Sequence, residues 1–332
     1  MCGRDIVGWL RDQRPGISDF SLSGGDVSLF INAQWPVPQP FFLAYRVFMS
    51  FYVVTWLIMS IVNAGNTTGL GGFFVFLTNW SFIVLALYFT IAAIGTTYAV
   101  FKQRNGSTCS PPQPSTKEST MQPQPDSNAN QTVSKSPVTV TACETTVDPN
   151  TSKLPVYFKI SWALLNVCLT AHPIISIIYW GFIFSPEFVY NNQGGAYGVA
   201  LTVHRHAFNT IFAYFDLFVS ATPIKFWHFV HPCAYSLLYI TFSLVYFWAG
   251  GRNPYIDSPA IYPVLLDWTT PGRTIPILLG VMLALVMFHC IGYGCYRLRV
   301  YFVDRCLNAG DGHRRGSEVL HNQIHMECSP IV

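Results

Sequence analysis

Apolar residues along this chain collect into six long runs separated by polar breaks. A bilayer crossing takes about 20 predominantly apolar residues. Six stretches meet that length: 41–62, 73–100, 156–184, 200–221, 224–250 and 275–298. The pattern predicts an all-α fold, a polytopic membrane helix bundle with six transmembrane helices. The fourth run, "ALTVHRHAFNTIFAYFDLFVSA", is the weakest, because it carries His204, Arg205, His206, Asn209 and Asp216. Polar groups are expensive in hydrocarbon, so such a span is expected to face other helices rather than lipid.

Residues 102–153 break the pattern. Their central stretch, "NGSTCSPPQPSTKESTMQPQPDSNANQTVSKSPVTV", has no aromatic residue, no Leu and no Ile. Such a segment cannot bury apolar surface and is expected to be a long disordered cytosolic loop. Ser136-Pro137 within it offers a phosphorylation site for a cytosolic tether, and a passive spacer is the plainer reading. The organisation is then an N-terminal cytosolic segment 1–40, two spans in 41–100, the loop 102–153, four spans in 154–300 and a polar, loose cytosolic tail 301–332. Pro173 and Pro232 fall inside runs and predict kinks. Thr274 reads as a helix cap with Pro276 in the first turn.

Composition agrees with a membrane protein. Charged residues make up 11% of the chain, against about 25% in soluble domains. The net charge of +3 is too small to suggest nucleic acid as a partner. With the N-terminus in the cytosol and six crossings, fourteen of the 19 Lys and Arg residues fall inside. The outer loops then hold only Arg252 and Arg273, so both termini are expected in the cytosol. The triplets at Asn105, Asn130 and Asn150 pull the other way, since a lumenal loop would be glycosylated there. The first forty residues show no cleavable leader, so the first span is expected to serve as an uncleaved anchor. Nine cysteines without a CxxC pair imply no disulfide framework; Cys168, Cys233, Cys290 and Cys295 read as small core residues, and Cys2 as a weak acylation candidate.

Helical rise converts position into depth. His206 falls about 9 Å inside the outer end of the fourth span, and Thr78 about 7–8 Å inside the second. Asn79 follows Thr78, and Asn209, Thr210 and Asp216 continue the fourth span inward. His204 is expected to point away from His206. A pocket formed by these polar residues competes with the plainer reading of an interhelical hydrogen-bond cluster. His228 and His231 are spaced as a ligand pair, but His172, His206 and His289 lie at other levels, so no metal or cofactor is expected. Arg46, Lys159, Arg205 and Asp216 are intramembrane ionisable groups that can mark a transport path. All but Asp216 lie close enough to an interface to snorkel.

The segments "FVFLTNWSF", "HRHAFNTIFAYFDLFVSATP", "IYPVLLDW" and "PGR" resemble the rolling stone family of multi-pass membrane proteins, from about residue 40 to 300. That resemblance implies a plasma-membrane protein acting in cell–cell (myoblast) fusion or muscle development. More distantly the segments resemble the androgen-induced and androgen-dependent membrane threonine hydrolases, which cleave fatty-acid esters of hydroxy fatty acids. The hydrolase nucleophile falls on Thr78. Their "NHxxHT" motif aligns with "RHAFNT", placing His206 on its first histidine and Thr210 on its threonine. Their catalytic histidine falls on Asn209, and an amide cannot take the proton of a threonine hydroxyl. His206, one turn away, is the remaining candidate base.

Three readings follow. The leading one is a non-enzymatic fusion or adhesion protein whose pocket holds membrane lipid or a fatty-acyl ligand and which works with a membrane or cytosolic protein partner. The second is an intramembrane lipid ester hydrolase, with Thr78 and His206 catalytic and Asn79, Asn209, Thr210 and Asp216 binding. The third is a transporter or haem redox protein.

Overall fold

The computed structural model describes residues 20–22, 26–106 and 154–327, with backbone alone at 106 and 306–327. Most of the expected loop 102–153, with its sequons and Ser136-Pro137, lies outside the described residues. So does most of the N-terminal segment, Cys2 included.

The described chain is helical: α1 (Ser28–Ile31), α2 (Gln39–Thr67), α3 (Gly69–Phe73), α4 (Leu77–Gly106), α5 (Val156–Ile178), α6 (Pro186–Asn192), α7 (Gly195–Val203), α8 (Asn209–Val219), α9 (Val230–Trp248) and α10 (Pro271–Glu327). Single π turns cover Tyr179–Ile183 and His204–Phe208, and a 3₁₀ turn, Phe226–Phe229, leads into α9. Among the described residues there is no strand, only two isolated bridges.

Five helices are long and apolar enough to cross a membrane: α2, α4, α5 with its π turn, the Phe226–Trp248 unit and Pro271–Arg305 of α10. The expected fourth span is not among them. It is helical, but it runs as α7, a π turn and α8, and its polar residues hold its apolar character down. Six apolar spans are thus corrected to five plus one polar helical run.

Burial ranks the helices. Two-thirds of the apolar window of α5 is buried (67%), against 56% for α4, 28% for α2, 22% for the α9 unit and 17% for α10. So α5 is the central post, with α4, α8, α9 and α10 packed around it and α2 against α4. Leu85, Phe89, Leu165, Cys168 and Leu217 fill the centre. Phe48, Phe51, Leu279 and Leu283 are exposed on the outer faces. Buried polar groups with exposed large apolar ones is the arrangement hydrocarbon surroundings favour. Cys290, expected in the core, is exposed instead.

Pro173 sits inside α5. It has no N–H to give the Leu169 carbonyl; the Tyr214 hydroxyl donates to that carbonyl at 3.2 Å. Pro232, expected to kink a span, lies in the first turn of α9, where a missing N–H costs nothing. α10 begins at Pro271, ahead of the expected cap; Thr274 instead donates to the Asp267 carbonyl at 2.6 Å and ties down the preceding loop. The tail expected to be loose after Asp304 continues as helix to Glu327.

Candidate functional site

A cavity of about 560 Å³ lies among the start of α4, the end of α5, the His204–Phe208 turn, α9, α10 and the 253–266 loop. That is the size of a small-molecule site. Ile174, Ile178, Leu266, Ile277, Leu278 and Val281 make an apolar wall. Thr78, Asn79, Gln193, Arg205, His206 and Tyr262 contribute its polar lining. A narrower apolar groove of about 250 Å³ between α5 and α10 shares Ile174, Ile178, Ile277 and Val281 with it.

The π turn builds the polar end. Widened turns of this kind recur at functional sites. His206 is buried and lies flat on the Tyr179 ring, centroids 3.3 Å apart at 11°. Its Nδ1 is 2.9 Å from the Thr202 carbonyl, so that nitrogen carries the proton and Nε2 is left as the acceptor. His204 stacks on Trp56 at 3.4 Å and lies 2.9 Å from the Tyr52 hydroxyl, on another side of the run, as expected. The distortion is present, yet it does not bring the two imidazoles together.

Arg205, expected to snorkel to the outer interface, is buried instead. Its guanidinium donates to Asn79 Oδ1 at 3.3 Å and to Gln193 Oε1 and Thr202 Oγ1 at 3.4 Å each. Asn79 in turn donates to the Phe73 carbonyl at 2.7 Å. Gln193 is set by the turn that follows it. Gly194 and Gly195 have φ of 95° and 64°, and a Cβ on Gly194 would meet Asn63 Oδ1 at 2.8 Å. Only glycine takes that geometry without strain.

Thr78 lines the cavity in the first turn of α4. Its described contact is Tyr262, whose hydroxyl also accepts from the Leu77 N–H at 3.1 Å. Burial pushes the Tyr262 phenol up to about 12. Among the described residues no hydrogen bond joins Thr78 to His206.

The expected site therefore divides. Thr78, Asn79 and His206 share the cavity; Asn209, Thr210 and Asp216 do not line it. The Asn209 amide donates to the Arg205 carbonyl at 2.9 Å, the position its own backbone N–H takes in a regular α-helix. Thr210 is 2.7 Å from the Ser176 hydroxyl, which also donates to the His206 carbonyl. Asp216 lies two turns further in. It pairs with Arg46 at 2.7 Å and accepts from Tyr45 at 2.9 Å and from Tyr88. Arg46, expected to snorkel, is 1% exposed and its partner 0%. Two of the four ionisable groups that can mark a transport path thus form a closed ion pair.

Three further histidines have separate engagements. His172 lies 3.1 Å from the Ser81 carbonyl, His289 3.0 Å from the Lys225 carbonyl, and His228 3.4 Å from Asn166. Among the described residues no group of three or more His, Cys, Asp or Glu is placed to hold a metal. Gln193, Tyr179 and Tyr262 escaped the sequence reading because they sit in connections and a widened turn. The single available signal was the Gly194-Gly195 pair, which marks a turn without saying what the turn positions.

A family model described as protein rolling stone matches residues 136–310, more than half of the chain. The Drosophila melanogaster protein rolling stone is 24% identical over 288 residues, covering 86% of this chain and 88% of the relative. No solved structure matches the chain. The match takes in α5 through most of α10, and with them most of the cavity wall and its Arg205–His206 turn. This multi-pass membrane protein belongs to the rolling stone family.

Proposed function

We propose that the protein is a plasma-membrane, lipid-binding component of cell–cell fusion, holding a single-chain amphiphile without turning it over. One observation carries the lipid part of this reading: an apolar chamber of about 560 Å³, ending in a cluster of polar side chains, opens beside an apolar groove between two candidate spans. An acyl chain suits the wall and a head group suits the polar end. The fusion role, the plasma membrane and the cytosolic placement of both termini rest on the family resemblance and on the basic residues of the inner loops. The reading is tested by extracting lipid from purified protein. A co-purifying acyl compound is expected, and Ile178→Trp, which fills the chamber, should deplete it. Protein that carries no acyl compound and binds none when offered would end the reading.

A second reading, ester hydrolysis, is favoured by Thr78 and His206 lining the same chamber. The hydroxyl would need His206 as base, with the Nε2 acceptor turned to it. Fluorophosphonate labelling of wild type that vanishes in Thr78→Ala supports hydrolysis. Folded wild type that stays unlabelled leaves binding alone.

A further inference from the structure

Among the described residues Arg205 is a buried cation without a counter-ion. Its side chain is 8% exposed, and its three hydrogen bonds, at 3.3–3.4 Å, all go to neutral oxygens. A guanidinium well served by its surroundings makes bonds near 2.7–2.9 Å. Its Nε has no hydrogen-bond partner among the described residues. The ion pairs described are Arg46–Asp216 and Arg252–Asp257, and neither involves it. Arg299 is buried too, but backbone carbonyls serve it: Ser220 at 2.5 Å, Thr222 at 3.1 Å, and Leu217. A charge removed from water with poor compensation is costly unless something pairs with it. Arg205 lines the cavity, so an occupant can reach it.

We propose that the cavity takes a long-chain carboxylate, with Arg205 gripping the head group and the acyl chain running along Ile174, Ile178, Ile277 and Val281 toward the α5–α10 groove. This rests on the lipid-binding reading and names the ligand class for it. A single planar guanidinium matches a single carboxylate in charge and in its two-pronged geometry. A phosphate monoester carries about −1.5 to −2 at neutral pH and would leave negative charge unbalanced in the chamber. The Thr78 hydroxyl and the Asn79 carboxamide stand at the same polar end to serve the remaining carboxylate lone pairs. The tail has a way out: the groove is apolar throughout its lining, and Ile177 on it is 55% exposed. The ligand therefore enters sideways from the hydrocarbon.

The test is displacement of a fluorescent acyl probe from full-length protein in non-ionic detergent by palmitate, palmityl alcohol or palmitoyl lysophosphatidate. Palmitate is expected to displace at on the order of 10- to 100-fold lower concentration than the alcohol, the worth of hydrogen bonds to a charged group. Arg205→Gln should weaken palmitate until acid and alcohol displace the probe at equal concentration. Equal displacement by acid and alcohol on wild type would overturn the head-group assignment and leave the lipid cavity standing. Lysophosphatidate outcompeting palmitate would replace carboxylate by phosphate. A probe that does not bind wild type removes the cavity reading and this one with it. Should Arg205→Gln fail to fold, Arg205→Lys keeps the charge and loses the fork. It is expected to retain part of the acid preference, and full retention would argue against two-pronged binding.

Discussion

Asp216 and Arg205 stand on one helical run and show opposite fates of a buried charge. Asp216 has its counter-ion and two tyrosine hydroxyls. Cutting one side of such a pair leaves the other charge buried and alone. Asp216→Leu or Arg46→Met alone is therefore expected to destabilise the fold by about 3–5 kcal/mol, while the two combined should recover most of that loss. Thermal unfolding of the two single variants and the double variant measures the coupling; additive losses would mean the pair is not a unit. Tyr262 gives a residue-scale prediction outside the spans. Its phenol ordinarily titrates at 10.0 and is held up to about 12 in the fold, chiefly by burial. Across that window the unfolded chain has released a proton that the folded chain keeps. Stability should thus fall as pH rises through the window, and Tyr262→Phe should lessen the slope. Alkaline unfolding curves of both proteins decide it; identical slopes would show that the phenol ionises freely.

Within elements, the irregular places prove to be the informative ones. Pro173 frees the Leu169 carbonyl and Tyr214 satisfies it from the neighbouring α8. Tyr214→Phe removes the donor and nothing else, so a loss of about 1–2 kcal/mol is expected by the same unfolding assay. No loss would mean that the carbonyl finds another donor. The Gly194-Gly195 connection is the second such place. Gly194→Ala puts a Cβ into Asn63 at a positive φ, costing about 1–2 kcal/mol and shifting Gln193 from Arg205. A lowered affinity for acyl probe should accompany the lost stability; unchanged affinity would separate the turn from the site. The apolar runs were legible because hydrocarbon sets their length, and they named the five apolar helices correctly. The Asn209 role was not legible. Motif alignment set it where the hydrolases carry their catalytic histidine, whereas its amide donates to the Arg205 carbonyl of its own helix after a widened turn that residue type does not reveal. Depth reckoning put Thr78 and His206 at one level and the cavity joins them. It set Asp216 further in on the same face, and there the structure gives it to Arg46 and not to the cavity.

At the scale of the whole molecule the polar run decides the topology. Five apolar helices alone would leave the two ends of the chain on opposite sides of the membrane; a crossing by the 195–219 run restores them to one side. The run is short of apolar residues, but its polar groups face inward: Arg205, His206, Asn209 and Asp216 are all buried. Ile211, Phe215 and Phe218 on its other face are exposed. A helix that hides its polar groups against neighbours and shows aromatic and aliphatic groups outward meets the bilayer's demand, which concerns exposed surface and not average composition. Six crossings are the expectation from that surface, and the excess of Lys and Arg in the tails would then hold both ends in the cytosol. An epitope tag at each terminus tests this in intact and permeabilised cells. Both tags are expected to need permeabilisation, whereas a tag inserted in the exposed loop at Asp257 is expected to be reached without it. One terminal tag accessible and the other hidden would return the count to five and leave the 195–219 run lying within the bundle without crossing it.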